Sequence, residues 1–401
     1  MSQHPTRRRL LAGATLAAIG SLAGCTGESN DQSTDGTSSN DGSDAEVEGA
    51  PALPRVENPP DAVYKPTHRE AMRHLPPVDA GEYTLSPMVT YPHSFWLVTG
   101  TEREEVVPTD GRGVHLMATL WDRETGQVLP VDSGTEMRVL RDGEVVDQRA
   151  PWPMISQTMG FHFGDNVPLP EDGTYTVEVD INPITVRKTG AFEGRFEGSE
   201  TARFEFEYDD EFRQAVIGGV EYLDESEWGQ RGALEPPMGM AHGNGHGDGS
   251  DHEHENGHHN DDEHEHHDDG HEHHMPFSAL PMADSYPGDE LGEHESGDAR
   301  FVVRYLSDSR FAEGGYLLVS PRTPYNRVPL ADMALSTQGA VESELEQILD
   351  SEVGLHYGTP AELSGGDSFE LVVDGPPQVS RHAGYETAFL EMPSMTVEVP
   401  E

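Results

Sequence analysis

The strongest constraint on this fold is an ungapped internal repeat. Gly160-Phe161-His162-Phe163-Gly164 matches Gly354-Leu355-His356-Tyr357-Gly358, and the two stretches stay in register as far as Gly190 and Gly384. Tyr175, Val177, Val179 and Asp180 fall opposite Phe369, Leu371, Val373 and Asp374. Pro183, Arg187 and Gly190 fall opposite Pro377, Arg381 and Gly384. A register that holds through strands and the turns between them points to duplication of one domain.

The duplicated unit reads as β structure. His115–Leu120, Thr174–Val179, Arg203–Tyr208, Phe301–Tyr305 and Phe369–Val373 alternate apolar and polar residues, the pattern of strands with one buried face. Asp142-Gly143, between Met137–Leu140 and Glu144–Val146, predicts a tight hairpin. One short helix is expected near Val341 to Leu349. Many short strands separated by turn signals predict an all-β chain of two tandem immunoglobulin-like β-sandwich domains. Their expected bounds are residues 76–211 and 275–401, linked by a connector at 212–240 and a disordered His-rich acidic loop at 241–274.

The N-terminus predicts export. Thr6-Arg7-Arg8-Arg9-Leu10-Leu11 precedes an apolar run from Ala12 to Ala23, the order of parts in a twin-arginine signal over residues 1–24. The run is too short for a stable membrane span. It ends in Leu22-Ala23-Gly24-Cys25, a lipobox whose cysteine would carry the lipid and hold the protein on the extracytoplasmic face of the membrane. Cys25 is the only cysteine, which argues against disulfides, thiolate metal sites or a cysteine nucleophile in the mature protein. Residues 25–75 begin as a polar Ser, Thr, Gly, Asp and Asn tether that cannot bury enough surface to order itself.

The formal net charge is -49, from 74 acidic and 25 basic residues. Such self-repulsion is screened at about 1 M salt, where the Debye length falls to roughly 3 Å, so a halophilic setting is expected. Nucleic acid is excluded as a partner, and cations are favoured. Residues 241–274 carry twelve histidines and eleven acidic residues. His252, His254, His258, His259, His264, His266, His267, His271, His273 and His274 offer borderline nitrogen donors beside carboxylates. Each bound ion must order several residues at about 1–2 kcal/mol apiece, so these sites should be many and weak.

Trp152-Pro153-Met154, then Gly160 to Val167, then Gly173-Thr174-Tyr175-Thr176-Val177, resemble the periplasmic iron-transport protein family, here in a tandem, haloarchaeal-type lipoprotein version. The likeness is best over Leu116 to Asp180 and fainter across roughly 80–210. It implies an immunoglobulin-like fold and a Met and His metal site. Carried over residue by residue, that site comprises Met154, His162, His93 and, from the second repeat, His356 and His382. Lys188 stands where repeat one should have its later histidine, and Ile348 where repeat two should have its methionine. A composite site is therefore expected, joining Met154 and His162 to His382 and leaving Lys188 and His356 at a degenerate second site. His115 alternates along a strand and reads as structural.

Imidazole suits copper, zinc and iron, while a thioether adds affinity for Cu(I). No phosphate loop, nucleophile elbow, helical His-Glu-x-x-His or dinucleotide fingerprint is present, so an enzyme is not expected. The reading is a lipid-anchored protein that captures Fe, Cu or Zn for a membrane permease, acting as a pseudo-dimeric monomer. The alternatives are a metal buffer or copper-resistance protein without a transport partner, and a surface domain with incidental histidines. Lipid on Cys25 supplies the membrane affinity in this reading. Cys25→Ser should therefore move the protein from the membrane pellet to the soluble fraction, and a Cys25→Ser protein that still pellets would overturn the lipoprotein assignment.

Overall fold

The computed structural model describes residues 53–108, 112–236, 275–307 and 310–401. Cys25, the signal at 1–24, residues 25–52 of the expected tether and the histidine-rich stretch 241–274 lie outside the described residues; residues 53–75 are not tether, since Val63 and Tyr64 are buried and His68–Arg69 and Arg73–His74 are strands.

The described chain is almost entirely β, arranged as two sandwiches. In repeat one, Gly113–Asp122 pairs with Gly160–Pro168, which pairs with Trp152–Ser156. The facing sheet runs Glu200–Tyr208, Gly173–Ile181, Glu136–Arg141 and Glu144–Arg149. Repeat two reproduces the plan with Tyr316–Arg322, Gly354–Pro360 and Glu346–Asp350. Its facing sheet contains Ala334–Gly339, Ser368–Gly375 and Met395–Glu398. Alternation along each strand sends Leu116, Phe161, Phe163 and Val167 inward against Val139, Val177, Val179 and Phe204. Burying each such side chain contributes about 1.5–3 kcal/mol. The same apolar cluster continues into repeat two through Phe301, Val319, Leu355, Leu371 and Val397.

The Asp142-Gly143 turn closes the expected hairpin, with φ of 50° and 80° at its two central residues. That left-handed pair matches the twist of the flanking strands, and glycine adopts it without a Cβ penalty.

One further local expectation is corrected. Val341 to Leu349 is not helical: Ser343–Glu344 and Glu346–Asp350 are strands. Ile348 and Leu349 are neighbours in sequence and both fully buried, as happens in a strand covered on both faces. Pairing on each side, with Gly354–Pro360 and with Arg187–Thr189, outweighs a weak local preference. The helix lies instead at Asp210–Gly218. Asp209 caps it by accepting a hydrogen bond from the Phe212 amide, Asp210 and Glu211 complement the first turn, and Phe212 and Val216 bury one face.

The repeats are interlocked. Ser380–Arg381, from repeat two, inserts into the large sheet of repeat one between Trp152–Ser156 and Phe95–Thr99. Its counterpart, Arg187–Thr189 of repeat one, adds to the edge of the large sheet of repeat two along Glu346–Asp350. The fully buried Arg381 guanidinium donates to the carbonyls of Ala388, Pro377 and Phe389. Each repeat thus completes the other's backbone hydrogen bonding, and neither can lose its tertiary structure without exposing strand edges of its neighbour. Thermal unfolding should accordingly be a single transition, coincident by circular dichroism and tryptophan fluorescence. Two separated transitions would show that the exchanged strands do not couple the repeats.

Candidate metal centre

The inserted strand delivers His382 to a group of buried histidines in repeat one. On Gly160–Pro168, the alternate residues His162, Gly164 and Asn166 share one face. His115 stands opposite Asn166 on the neighbouring strand, and Met154 opposite His162 on the other side. His93 lies on the turn after Tyr83–Thr90 and is clamped at two points: its amide donates to Asn166 Oδ1 at 3.3 Å, and Asn166 Nδ2 donates to its carbonyl at 2.9 Å. His115, His162 and Met154 are fully buried, and His382 nearly so.

The hydrogen bonds fix the tautomers. Nδ1–H of His93 donates to the Tyr91 carbonyl at 3.1 Å, and that of His162 to the Gly160 carbonyl at 3.1 Å. Asn166 donates through its nitrogen to His93, so its oxygen accepts from His115 Nδ1 at 3.0 Å. When neutral, each of these rings therefore turns a lone pair inward at Nε2. Between them lies His382, with Nδ1 3.1 Å from His93 Nε2 and Nε2 3.1 Å from His162 Nε2. A neutral His382 has a single N–H for these two contacts, so one of them sets lone pair against lone pair. His115 Nε2 is buried with no hydrogen-bond partner at all. The group is short of positive charge. Protonation is opposed by burial, reinforced by the neighbouring histidines: burial holds His162 down to about 4 and drives His115 and His382 well below the ordinary value.

A metal ion fits this deficit. Outward N–H groups held by carbonyl or amide oxygens with inward Nε2 lone pairs are the arrangement that orients histidine ligands. Ligand-capable nitrogens of His93, His115 and His382 lie within 4.8 Å of one another. Bonds of about 2.0–2.1 Å put nitrogens sharing an ion roughly 3–4 Å apart, so only small ring movements are needed. Gly164 lets the donors approach its backbone closely: a Cβ there would lie 3.0 Å from His115 Nε2 and 3.1 Å from Met154 Sδ. The donor set is four imidazoles and a thioether, suited to copper, zinc or iron rather than magnesium or calcium.

Of the residues expected from the sequence, Met154, His162, His93 and His382 come together here. His356 does not join them. It occupies the matching position in repeat two, where its Nε2 faces the Tyr316 hydroxyl at 3.3 Å and the Phe311 ring packs 5.1 Å away. Tyr316 stands where repeat one has His115, and Ile348 where it has Met154. Phe311, Tyr316, Leu318 and Ile348 form an apolar cluster in place of the histidine group. Lys188, the counterpart of His382, donates to the Ile184 carbonyl at 2.7 Å. The loop histidines His252 to His274 lie outside the described residues.

His115 was read as structural, and sequence reasoning missed its place in this group. Its signal is that His162, Gly164 and Asn166 make one face of their strand polar, so a histidine on the adjacent strand belongs to a face that holds chemistry. Glu70 was also missed: its Oε1 lies 3.5 Å from His93 Nε2.

A family model described as a domain of unknown function, DUF7350, matches residues 284–398. No curated protein matches. Among solved structures, a copper-bound variant of FetP from uropathogenic Escherichia coli strain F11 is similar at 21% identity, covering 34% of this chain and 97% of that one, with a TM-score of 0.28. FetP of the same strain, in its as-isolated form, is similar at 20% identity over 34% of this chain and 96% of that one, with a TM-score of 0.27.

The buried histidines make the metal-free fold acid-sensitive. An unfolded histidine titrates near 6.5, whereas burial lowers His162 and His356 to about 4. Between those values the unfolded chain binds more protons, so stability is fully present above pH 6.5 and is lost as pH falls towards 4. His162 alone corresponds to ~3 kcal/mol across this window. Urea midpoints of the metal-free protein should be level from pH 8 to 7 and fall steadily from 6.5 to 4.5. A level profile through the lower range would mean that the folded histidines are already protonated.

Proposed function

We propose that this chain is a non-enzymatic, extracytoplasmic metal-binding protein that captures a copper, iron or zinc ion as cargo. The observation that carries this reading is the buried group of His93, His115, His162 and His382 with Met154, whose inward lone pairs outnumber the protons available to meet them. The ion would be held by these nitrogens and the Met154 thioether, and the surrounding carbonyls would keep the rings in place. Burial of the group favours retention. The mixed nitrogen and sulfur donors favour borderline and soft ions over the abundant hard ones.

The lipid anchor on Cys25 would keep the loaded protein at the membrane, where a permease can accept the ion. The histidine-rich stretch would act as a collector of many weakly held ions. In support, described residues on either side of it are tied to the hairpin that carries Met154 and His162. The Leu234 amide donates to Gln157 Oε1 at 2.7 Å, and Ser278 Oγ accepts from the Phe161 amide at 2.7 Å.

The two kinds of site should separate by pH. Histidines with the ordinary pKa of about 6.5 must be neutral to bind metal, so ions held by the stretch should leave between pH 7.5 and 5.5. His162 stays neutral down to about 4, so the buried ion should remain. Protein purified without tag or chelator and titrated with zinc at equilibrium should bind several ions at pH 7.5 and about one at pH 5.5. His162→Ala should lose the ion kept at pH 5.5, and His356→Ala should keep it. Retention in His162→Ala, or equal loading at both pH values, would overturn the assignment.

A further inference from the structure

A second methionine reaches the buried group. Met117 stands opposite Gly164, two residues beyond His115 on the same strand, so both side chains share the face that holds His162 and Asn166. They meet over Gly164. The point that a Cβ would occupy there lies 3.0 Å from His115 Nε2, 3.1 Å from Met154 Sδ and 3.2 Å from Met117 Cγ. Met117 is 1% exposed and Met154 fully buried. The methionine side chain is unbranched and turns about its last bonds at little cost, so a change of rotamer brings the Met117 sulfur to the same ion as the Met154 sulfur.

Repeat two supplies the comparison. Leu318 stands opposite Gly358 there as Met117 stands opposite Gly164, and Ile348 stands opposite His356 as Met154 stands opposite His162. Leu318 and Ile348 are fully buried in an apolar cluster, so aliphatic side chains of similar volume fill both places where only one imidazole is present. The two sulfurs occur together, on the side of the molecule where the imidazoles gather.

We infer that Met117 is a second thioether donor of the buried group, and that with Met154 it makes Cu(I) the ion held most tightly. This rests on the metal-capture reading above and names the ion within it. Thioether sulfur is soft and favours Cu(I) over borderline Zn(II). Charge points the same way. Neutral imidazoles and thioethers offer no charge to offset the loss of an ion's hydration, and that loss is smaller for a monovalent ion than for a divalent one.

The test uses the full chain with the histidines of residues 242–274 replaced by serine, together with Met238→Leu and Met240→Leu, so that donors in and beside that stretch do not compete. Affinity for Cu(I) is measured without oxygen by competition with bicinchoninate, and affinity for Zn(II) by competition with a zinc indicator dye. Met117→Leu installs the side chain that repeat two has at this place. It should bind Cu(I) at least about tenfold more weakly, the scale on which groups supporting a metal act, and bind Zn(II) as the parent does. X-ray absorption at the copper edge should find two sulfur neighbours in the parent and one in Met117→Leu. Met137→Leu, at a buried methionine of the facing sheet, should match the parent throughout. Unchanged Cu(I) affinity and sulfur count in Met117→Leu would overturn the second donor. Equal losses of Cu(I) and Zn(II) affinity would also overturn it, making Met117 a packing residue. A parent that holds Zn(II) more tightly than Cu(I) would overturn the choice of ion while the metal-capture reading stands. A parent that binds neither ion would overturn that reading, and this inference with it.

Discussion

The insertion of Ser380–Arg381 between Trp152–Ser156 and Phe95–Thr99 is the contact on which the rest of the molecule turns. It closes a gap in the sheet of repeat one with a strand from repeat two, and it carries His382 into a group otherwise built from repeat one. The insertion places a fully buried guanidinium at Arg381. Burial lowers the pKa of that guanidinium to about 9, yet it stays charged at neutral pH and is met by three carbonyls. An isolated charge at such depth would be costly, and the carbonyls offset that cost only in the folded arrangement. The same residue that locks the two repeats together therefore also fixes the position of the neighbouring ligand-type side chain.

Four histidines packed against one another are a poor way to build a core. Each gives up hydration, and the hydrogen bonds available inside cannot satisfy all the ring nitrogens while the rings stay neutral. A buried polar atom without a partner costs roughly 1–3 kcal/mol. Apolar side chains of similar volume would avoid that cost, as they do at the matching place in repeat two, where Phe311, Tyr316, Leu318 and Ile348 fill the space. The contrast inside one molecule is informative because the backbone plan is the same on both sides. Repeat two fills the position around its one histidine with rings and aliphatic side chains; repeat one carries the polar alternative, with His115 and Met154 drawn close over Gly164.

The two exchanged strands are likewise unequal. His382 stands between two histidine rings, whereas Lys188 is held by the Ile184 carbonyl. Reciprocal exchange thus preserves the mechanical link in both directions while directing ligand-type side chains in only one. His356 keeps the backbone hydrogen bond of His162, donating from Nδ1 to the Gly354 carbonyl at 3.2 Å, but has a phenol for its neighbour.

Much of this was legible in the sequence. The duplication, the alternating strands and the Asp142-Gly143 hairpin depend on local periodicity and turn chemistry, which act over a few residues, whereas Met154 and His162 were singled out by the family resemblance. The strand at Glu346–Asp350 was not legible, because its hydrogen-bond partners come from Gly354–Pro360 on one side and from Arg187–Thr189, far away in the chain, on the other. Nor were the places of His115 and Glu70. A histidine on an alternating strand reads the same whether its face meets solvent, apolar core or other histidines, and only the packing of a third element decides between them. By itself the sequence determined that two like sandwiches would form and which residue types stood ready to bind a cation. The tertiary structure alone decided how the expected meeting of His162 with His382, 220 residues apart, is made and that His115 joins it, because both depend on a strand from one repeat completing the sheet of the other.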